Sequence, residues 1–469
     1  MNELAINLKL TGKIPLYQQI YEYIKESILD GRIPCGEKLP STRALSRHLE
    51  VSRSTVELSY EQLLSEGYIE TKPRRGFFVS EIEDLYHLDT TELTVEMEDQ
   101  KEKEECKYKF SPYGVDLKSF PYNAWRKLSR EILSDDTMEL FHLGNPKGEY
   151  GFRKAICSYL YQARGVACNP SQIIVGAGND YILMLLGALF QQDDIIAVEN
   201  PAYEQAYRLF RSLSYKVVPV SMDRSGMKVD SLREVEADIA YVTPSHQYPT
   251  GIIMPVKRRT ELLNWADAKE GRYIIEDDYD SEFRYKGKPI PALKGYDRHG
   301  KVIYLGTFSK SIAPSIRLSY VVLPDSLLKK YEQKCGFLSS TVSKVDQRIV
   351  QKFIEEGYYE RHLNKSRALY KARHDVLIAA LKPLAGQCKI SGENAGVHIL
   401  LTFTNGMTEE ELVSSARKVG VRVYGLSEYM IEDTKEEKHA VLIGYANMSE
   451  QQIKEGCAIL CRIWNRKEE

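Results

Sequence analysis

Along this 469-residue chain, residues able to hold one small anionic aldehyde recur directly after apolar runs. Lys310 follows the run Val302–Leu305, and a lysine amine in that place can condense with an aldehyde. The hydroxyls of Thr307 and Ser309 and the guanidinium of Arg317 can hold a phosphate. Asp277 and Tyr279 follow the run Tyr273–Ile275 and offer a carboxylate for a protonated ring nitrogen and a phenol for a ring hydroxyl. Tyr203 offers a flat face for stacking. The backbone N–H groups of Ala177, Gly178 and Asn179 stand where a helix begins after another run, a natural anion site. His246 and Gln247 sit after a further one. An amine, a phosphate site, a carboxylate and a stacking ring are the four things pyridoxal phosphate (PLP) asks of a protein. Singly these residues are ordinary: a lysine after a strand is usually solvated, Asp277 and Asp278 could be a surface turn or a metal site, and Tyr203 could be core. Their joint order carries the reading.

A second set lies near the N-terminus and suits double-stranded DNA. Ser41 can cap a helix from Thr42 to about Leu49, and Ser52 can cap another from Arg53 to about Glu66. A tight turn at Glu50–Val51 joins them. The second helix presents Arg53, Ser54 and Thr55 at its N-terminal end, from which recognition helices reach base edges. Arg43 and Arg47 on the preceding helix can reach phosphates or bases. Lys72, Arg74 and Arg75 cluster in a turn between two short strand patterns, with Gly76 permitting the tight bend. Residues 1–80 hold eleven basic and ten acidic side chains, so placement rather than net charge supports DNA binding. Glu57 projects from the same helix and is expected either to face solvent or to accept from a cytosine amine.

These sets need two scaffolds. Leu16, Ile20, Ile24 and Ile28 recur every four residues and predict a helix that Gly31 stops. With the two capped helices and the hairpin it gives a winged helix-turn-helix over residues 1–80, packed through Leu45, Leu49, Val56, Leu63 and Leu64. Residues 81–107 hold eleven acids against three bases and read as a solvated linker that lets the halves move separately. From 108 to 469, helices alternate with apolar strands (IIVGAG, DIIAVE, IAYVTPS, RYIIEDD, VIYLGTFSK), which predicts an open α/β sheet. Ligands bind such sheets at the strands' carboxyl ends, and the polar clusters fall there. A smaller α/β subdomain is expected at about 360–469. The stretch YILMLLGALF is about half a membrane span and reads as a buried helix. With no charged start followed by an apolar segment at the N-terminus, the expectation is a cytoplasmic protein. The eight scattered cysteines have no C-x-x-C pair; neither a metal site nor a disulfide framework is expected, and Cys457 and Cys461 read as core.

The helix–PSTRAL–SRSTV–EGYIE–RGFFV order resembles the GntR-type winged helix-turn-helix. From 108 onward, TPSHQYPTG, IEDDYDSEFRY and GTFSKSIAPSIR resemble fold-type-I aminotransferases. The whole chain is similar to the MocR/GabR subfamily of GntR-type regulators. The resemblance implies PLP on Lys310 through a Schiff base, and a head-to-tail, domain-swapped homodimer. The chain departs from the pattern where substrate carboxylates are held. Tyr248 replaces an asparagine, Leu442 stands where aminotransferases carry a carboxylate arginine, and Gln205 and Glu428 stand where GABA-responsive members carry arginines; Arg422 and Arg417 are candidate replacements. The favoured expectation is a transcriptional regulator sensing an amine metabolite or PLP itself. The alternative is an active aminotransferase with an accessory DNA reader. A DNA-binding protein with a dead cofactor fold fits less well, because Lys310, Asp277 and Arg317 are all present.

Overall fold

The computed structural model describes residues 6, 8, 14–81, 106–134, 138–285, 290–432 and 438–465. Two compact units result, Met1–Gln100 and Lys101–Glu469. Their boundary falls within the expected linker, most of which lies outside the described residues.

The first unit runs α1 (Leu16–Leu29), α2 (Thr42–His48), α3 (Arg53–Ser65), β1 (Ile69–Lys72) and β2 (Gly76–Val79). The two strands form an antiparallel hairpin. Both serine caps form: Ser41 Oγ accepts from the Ala44 N–H at 3.2 Å, and Ser52 Oγ from the Thr55 N–H at 3.2 Å. Each satisfies a helix-start donor and contributes about 1 kcal/mol. Helices α2 and α3 each stop one residue before the expected end. Glu50, between them, takes a left-handed φ of 52° to make the turn. Ile20, Ile24 and Ile28 bury one face of α1 against Leu45, Val56, Tyr60, Leu63 and Ile69, while Leu16 stays half-buried.

The second unit runs β3 (Tyr108–Lys109), α4 (Tyr122–Ser134), α5 (Tyr150–Arg164), β4 (Ile173–Gly176), α6 (Asn179–Leu189), β5 (Ile195–Asn200), α7 (Glu204–Ser212), β6 (Lys216–Asp223), β7 (Gly226–Met227), α8 (Val229–Glu234), β8 (Ile239–Val242), α9 (Val256–Asp267), β9 (Tyr273–Asp278), β10 (Val302–Thr307) and β11 (Ser319–Val322). It continues with α10 (Asp325–Lys334), α11 (Lys344–Glu355), α12 (Tyr358–Ala380), β12 (Cys388–Ser391), β13 (His398–Phe403), α13 (Glu409–Lys418), β14 (Val421–Arg422), β15 (Tyr424–Gly425), β16 (Ala440–Gly444) and α14 (Glu450–Trp464).

Eight strands make the main sheet, in the order β4-β11-β10-β9-β8-β5-β6-β7. Strands β10, β9, β8, β5 and β6 are parallel neighbours, and β11 lies antiparallel between β10 and β4. Five strands are the expected ones; β6, β7 and β11 are additional. Because side chains alternate, Ile275, Ile303 and Val321 pack on one face with Leu183, Phe210 and Leu327. On the other face, Ile274 and Val302 pack with Trp265. Tyr304 and Val322 pack with Ile156 and Val350 there. Burial on both faces explains why these strands read as continuous apolar runs. The stretch YILMLLGALF supplies most of α6; Ile182, Leu183, Leu185, Leu186 and Leu189 are buried as expected, while Met184 is 53 % exposed.

The small subdomain is a four-stranded sheet, β12-β13-β16-β15, covered by α12, α13 and α14. Its expected limits need correction. Helix α12 starts at Tyr358, and β3 pairs in parallel with β14. Tyr108 and Phe110 are 4 % and 0 % exposed in the small subdomain's core, so the start of the unit belongs to it. Cys457 and Cys461 are buried in the same core. Among the described residues no helix is long and apolar enough to cross a membrane.

Candidate functional site

The carboxyl ends of the parallel strands converge on a cavity of about 210 Å³. Lys310, Asp277, Tyr279 and Tyr203 line it, as do Asn179, Thr307, Ser309 and Arg317. Lys310 follows β10 and is half-buried; its Nζ lies 3.5 Å from the Pro112 carbonyl oxygen and 5.7 Å from the centre of the Tyr113 ring. Burial lowers its ammonium to about 8, with Asp280 pulling the other way. Asp277, near the end of β9, is 4 % exposed and accepts a hydrogen bond from the Tyr241 hydroxyl. Asn179 Nδ2 donates to its other oxygen at 3.4 Å. Burial raises the Asp277 carboxyl to about 6, and the Tyr241 hydrogen bond opposes that rise.

The anion end is built from Ser309, Arg317 and the helix start at Asn179. Arg317 adopts a left-handed φ of 47°, and its Nη2 pairs with Asp180 Oδ2 at 2.8 Å. Gly178 has φ 92°, which side chains rarely adopt, and a Cβ there would stand 2.4 Å from Arg317 Nη2, so a substitution would strain the turn and displace the arginine. Thr307 Oγ1 accepts from the Ser309 N–H at 3.2 Å and from Ser319 Oγ at 2.9 Å, which fixes the turn before Lys310.

The residues present fit PLP. Ser309 Oγ and Asn179 Oδ1 are buried beside the cavity without a hydrogen-bond partner among the described residues. A buried polar atom left alone is costly, and a phosphate and a ring edge would satisfy such atoms. Asp277, buried and facing the same space, suits a protonated ring nitrogen.

Four expected residues sit differently. The Ala177 N–H donates to Thr341 Oγ1 at 3.1 Å and the Gly178 N–H to the Gly176 carbonyl at 2.9 Å, so two of the three backbone donors expected at the phosphate are engaged elsewhere. His246 and Gln247 are 1 % and 2 % exposed behind the cavity wall. His246 Nδ1 lies 2.9 Å from Asp280 Oδ2 and 3.1 Å from the Tyr279 hydroxyl. Gln247 Nε2 donates to the Pro201 carbonyl at 2.9 Å. Both brace the loops that carry Tyr279 and Tyr203.

Tyr113 and Thr243 also line the cavity, and Tyr241 supports Asp277; none of the three is read from the sequence above. Tyr241 had a signal: it is a hydroxyl inside an apolar strand, and it pairs with Ile275, two residues from Asp277 on the same face. Thr243 lines the cavity and is held by Glu199, which accepts from its N–H at 3.2 Å and its hydroxyl at 3.0 Å. Tyr248 lies in a cluster with Leu442, Leu400 and Tyr429. Leu442 is fully buried there. Gln205 and Arg417 are exposed; Glu428 accepts from the Gly425 N–H at 3.0 Å, and Arg422 lies 5.1 Å from the centre of the Tyr424 ring. Among the described residues Arg317 is the only arginine lining the cavity.

In the N-terminal unit, Ser52, Arg53 and Ser54 are exposed at the start of α3, and Thr55 is half-buried. Arg53 Nε pairs with Glu57 Oε1 at 2.7 Å, so Glu57 orients the arginine along the helix. Arg43 and Arg47 are exposed on α2. Lys72 pairs with Glu70 at 2.9 Å and lies 4.9 Å from the centre of the Phe78 ring. Arg74 and Arg75 are exposed at the hairpin tip. Gly76 has φ 102°, and Arg74 is left-handed as well, at 59°.

Residues 16–79 match the bacterial regulatory proteins of the gntR family, and residues 113–460 match aminotransferase class I and II. The chain is 41% identical over 460 residues to the HTH-type transcriptional regulator YdeL of Bacillus subtilis, covering 97% of this chain and 98% of that one. It is 30% identical to the probable rhizopine catabolism regulatory protein MocR of Rhizobium meliloti, over 94% of this chain and 92% of that one. It is 31% identical to the pyridoxine biosynthesis regulator PdxR of Corynebacterium glutamicum, over 91% of each. Among solved structures, the multiple substrate aminotransferase of Thermococcus profundus superposes with a TM-score of 0.69 at 26% identity, covering 77% of this chain and 92% of that one. Reader and sheet together define a DNA-binding regulator built on a fold-type-I aminotransferase domain. The chain belongs to the MocR/GabR subfamily of GntR-type regulators, and the cofactor of its second domain is pyridoxal phosphate.

Proposed function

We propose that this protein senses an amine-bearing metabolite, or PLP itself, at Lys310 and converts its binding into a change in DNA affinity. When bound, PLP supplies an aldehyde that exchanges one amine for another and a ring that withdraws electrons. The chain's own residues do the rest. Lys310 offers an amine that burial keeps easy to deprotonate, Asp277 holds the ring nitrogen, Tyr203 stacks, and Ser309 and Arg317 take the phosphate. The observation that carries the sensing reading is the cavity wall around Lys310, where Tyr113, Tyr203 and Tyr248 stand and, among the described residues, no arginine beyond Arg317 does. A cavity so lined favours an amine over an α-amino acid, whose carboxylate is usually held by a paired arginine.

DNA contacts are assigned to Arg53, Ser54 and Thr55 for bases, and to Arg43, Arg47, Lys72, Arg74 and Arg75 for phosphates or the minor groove. Self-association through the second unit is supported by apolar side chains left exposed on it, Leu133 55 %, Met138 79 %, Phe141 75 % and Leu143 88 %; the head-to-tail arrangement is part of the proposal and follows from the resemblance. The test is turnover. With PLP and a panel of amino donors and keto acids, the protein is expected to give one half-reaction at most; sustained turnover would make it an aminotransferase with an accessory reader.

A further inference from the structure

Cys157 on α5 and Cys168 in the segment leading to β4 are eleven residues apart, yet their sulfurs stand 3.5 Å from each other. Helix α5 ends at Gly165, which takes a left-handed φ of 67° and turns the chain back along the helix; Val166 is fully buried and anchors the return. Both cysteines are half-buried rather than sealed in the core. A disulfide needs about 2.05 Å between sulfurs, so the pair must close in from 3.5 Å to form one.

We propose that Cys157 and Cys168 form a reversible intramolecular disulfide, a modification site that takes hydroperoxides as its oxidant. The Cys168 thiol donates to the Cys157 sulfur, which lowers the pKa of Cys157; burial opposes this and Arg153 adds to it. Cys157 is therefore the attacking thiolate. Its sulfur takes the terminal oxygen of the peroxide, the O–O bond breaks, and water (or an alcohol) leaves with a proton. That gives a sulfenic acid on Cys157. The Cys168 sulfur then attacks the Cys157 sulfur, the S–O bond breaks, and the second oxygen leaves as water with the Cys168 proton. Two thiols are oxidised and one peroxide is reduced, yielding one disulfide and two hydroxylic products. In a reducing compartment such a bond is transient, as suits a sensor. The same helix adjoins the cofactor site: Arg164 on α5 donates to Asp278 at the end of β9 at 2.7 Å and to Ser245 in the loop after β8 at 2.6 Å.

The test uses the full-length, PLP-loaded protein treated with hydrogen peroxide, then alkylated and digested with trypsin. Cleavage after Lys154, Arg164 and Arg208 separates the cysteines into fragments 155–164 and 165–208. The expected result is these two fragments joined, two hydrogens lighter than their sum, with free thiols falling from eight to six per chain and restored by dithiothreitol. Cys168→Ser should leave Cys157 to over-oxidise to sulfinic acid. The proposal is overturned if the wild type shows the fragments unlinked, with Cys157 untouched or over-oxidised, or if either cysteine pairs instead with a third. None of these outcomes bears on whether Lys310 senses an amine.

Discussion

At Lys310 burial moves an amine from 10.5 to about 8, and at Asp277 burial moves a carboxyl from 3.8 to about 6. Two pH effects follow. Only a neutral amine attacks an aldehyde, so the rate of PLP uptake by cofactor-free protein should rise about tenfold per pH unit below about 8 and level off above it, read as growth of the visible absorbance band. An equally shallow pH dependence from 5 to 10 would show that Lys310 is not the titrating amine. Between about 8 and 10.5 the unfolded chain holds the Lys310 proton that the folded chain has released. The stability of cofactor-free protein therefore gains from this group as pH rises through that window, and below it pays the full cost of burying the charge. Asp277→Asn removes the anion that holds the ring nitrogen and should weaken cofactor retention by roughly 10- to 100-fold, on the order of 1.5–3 kcal/mol for a charged hydrogen bond. In the reader, Arg53→Ala should cost specific DNA binding about 1–3 kcal/mol, whereas Arg74→Ala with Arg75→Ala should mainly flatten the salt dependence, by about two phosphate contacts.

At the scale of elements, caps and strand ends were the legible features. Ser41 and Ser52 announce α2 and α3 because a helix start must satisfy its own donors, and Ser52→Ala should lower the reader's unfolding free energy by about 1 kcal/mol in a thermal or denaturant melt. Lys310, Asp277, Tyr203 and Arg317 were readable because buried parallel strands are apolar until they reach the ligand. Other features depend on contacts that sequence spacing does not encode. Strand β11 is four residues long and joins the sheet antiparallel straight after the Arg317 turn, so no crossover helix marks it. Tyr108 and Phe110 join the small subdomain through a two-residue pairing with β14, over three hundred positions away. Tyr113 reaches Lys310 from the same entering segment. The engagement of the Ala177 N–H by Thr341 likewise depends on a distant loop.

For the whole molecule, the exposed side chains of Phe141 and Leu143 are proposed to be covered by a second copy. Phe141→Asp with Leu143→Asp should shift the protein from dimer to monomer in light scattering; a wild type already monomeric at micromolar concentration would rule out a dimer formed through this face. Events at Lys310 are proposed to reach the reader, and coupling requires the ligand to bind the two DNA-affinity states differently, typically by about 1–3 kcal/mol, or about 5- to 150-fold. The direct measurement is affinity for a promoter fragment at fixed salt, with and without PLP and then with a primary amine, in the wild type and in Lys310→Ala. A shift of several-fold or more is expected in the wild type and none in Lys310→Ala, which should still bind the fragment. Identical affinity in every state of a wild type that demonstrably carries PLP on Lys310, or an equal shift in Lys310→Ala, would contradict this coupling.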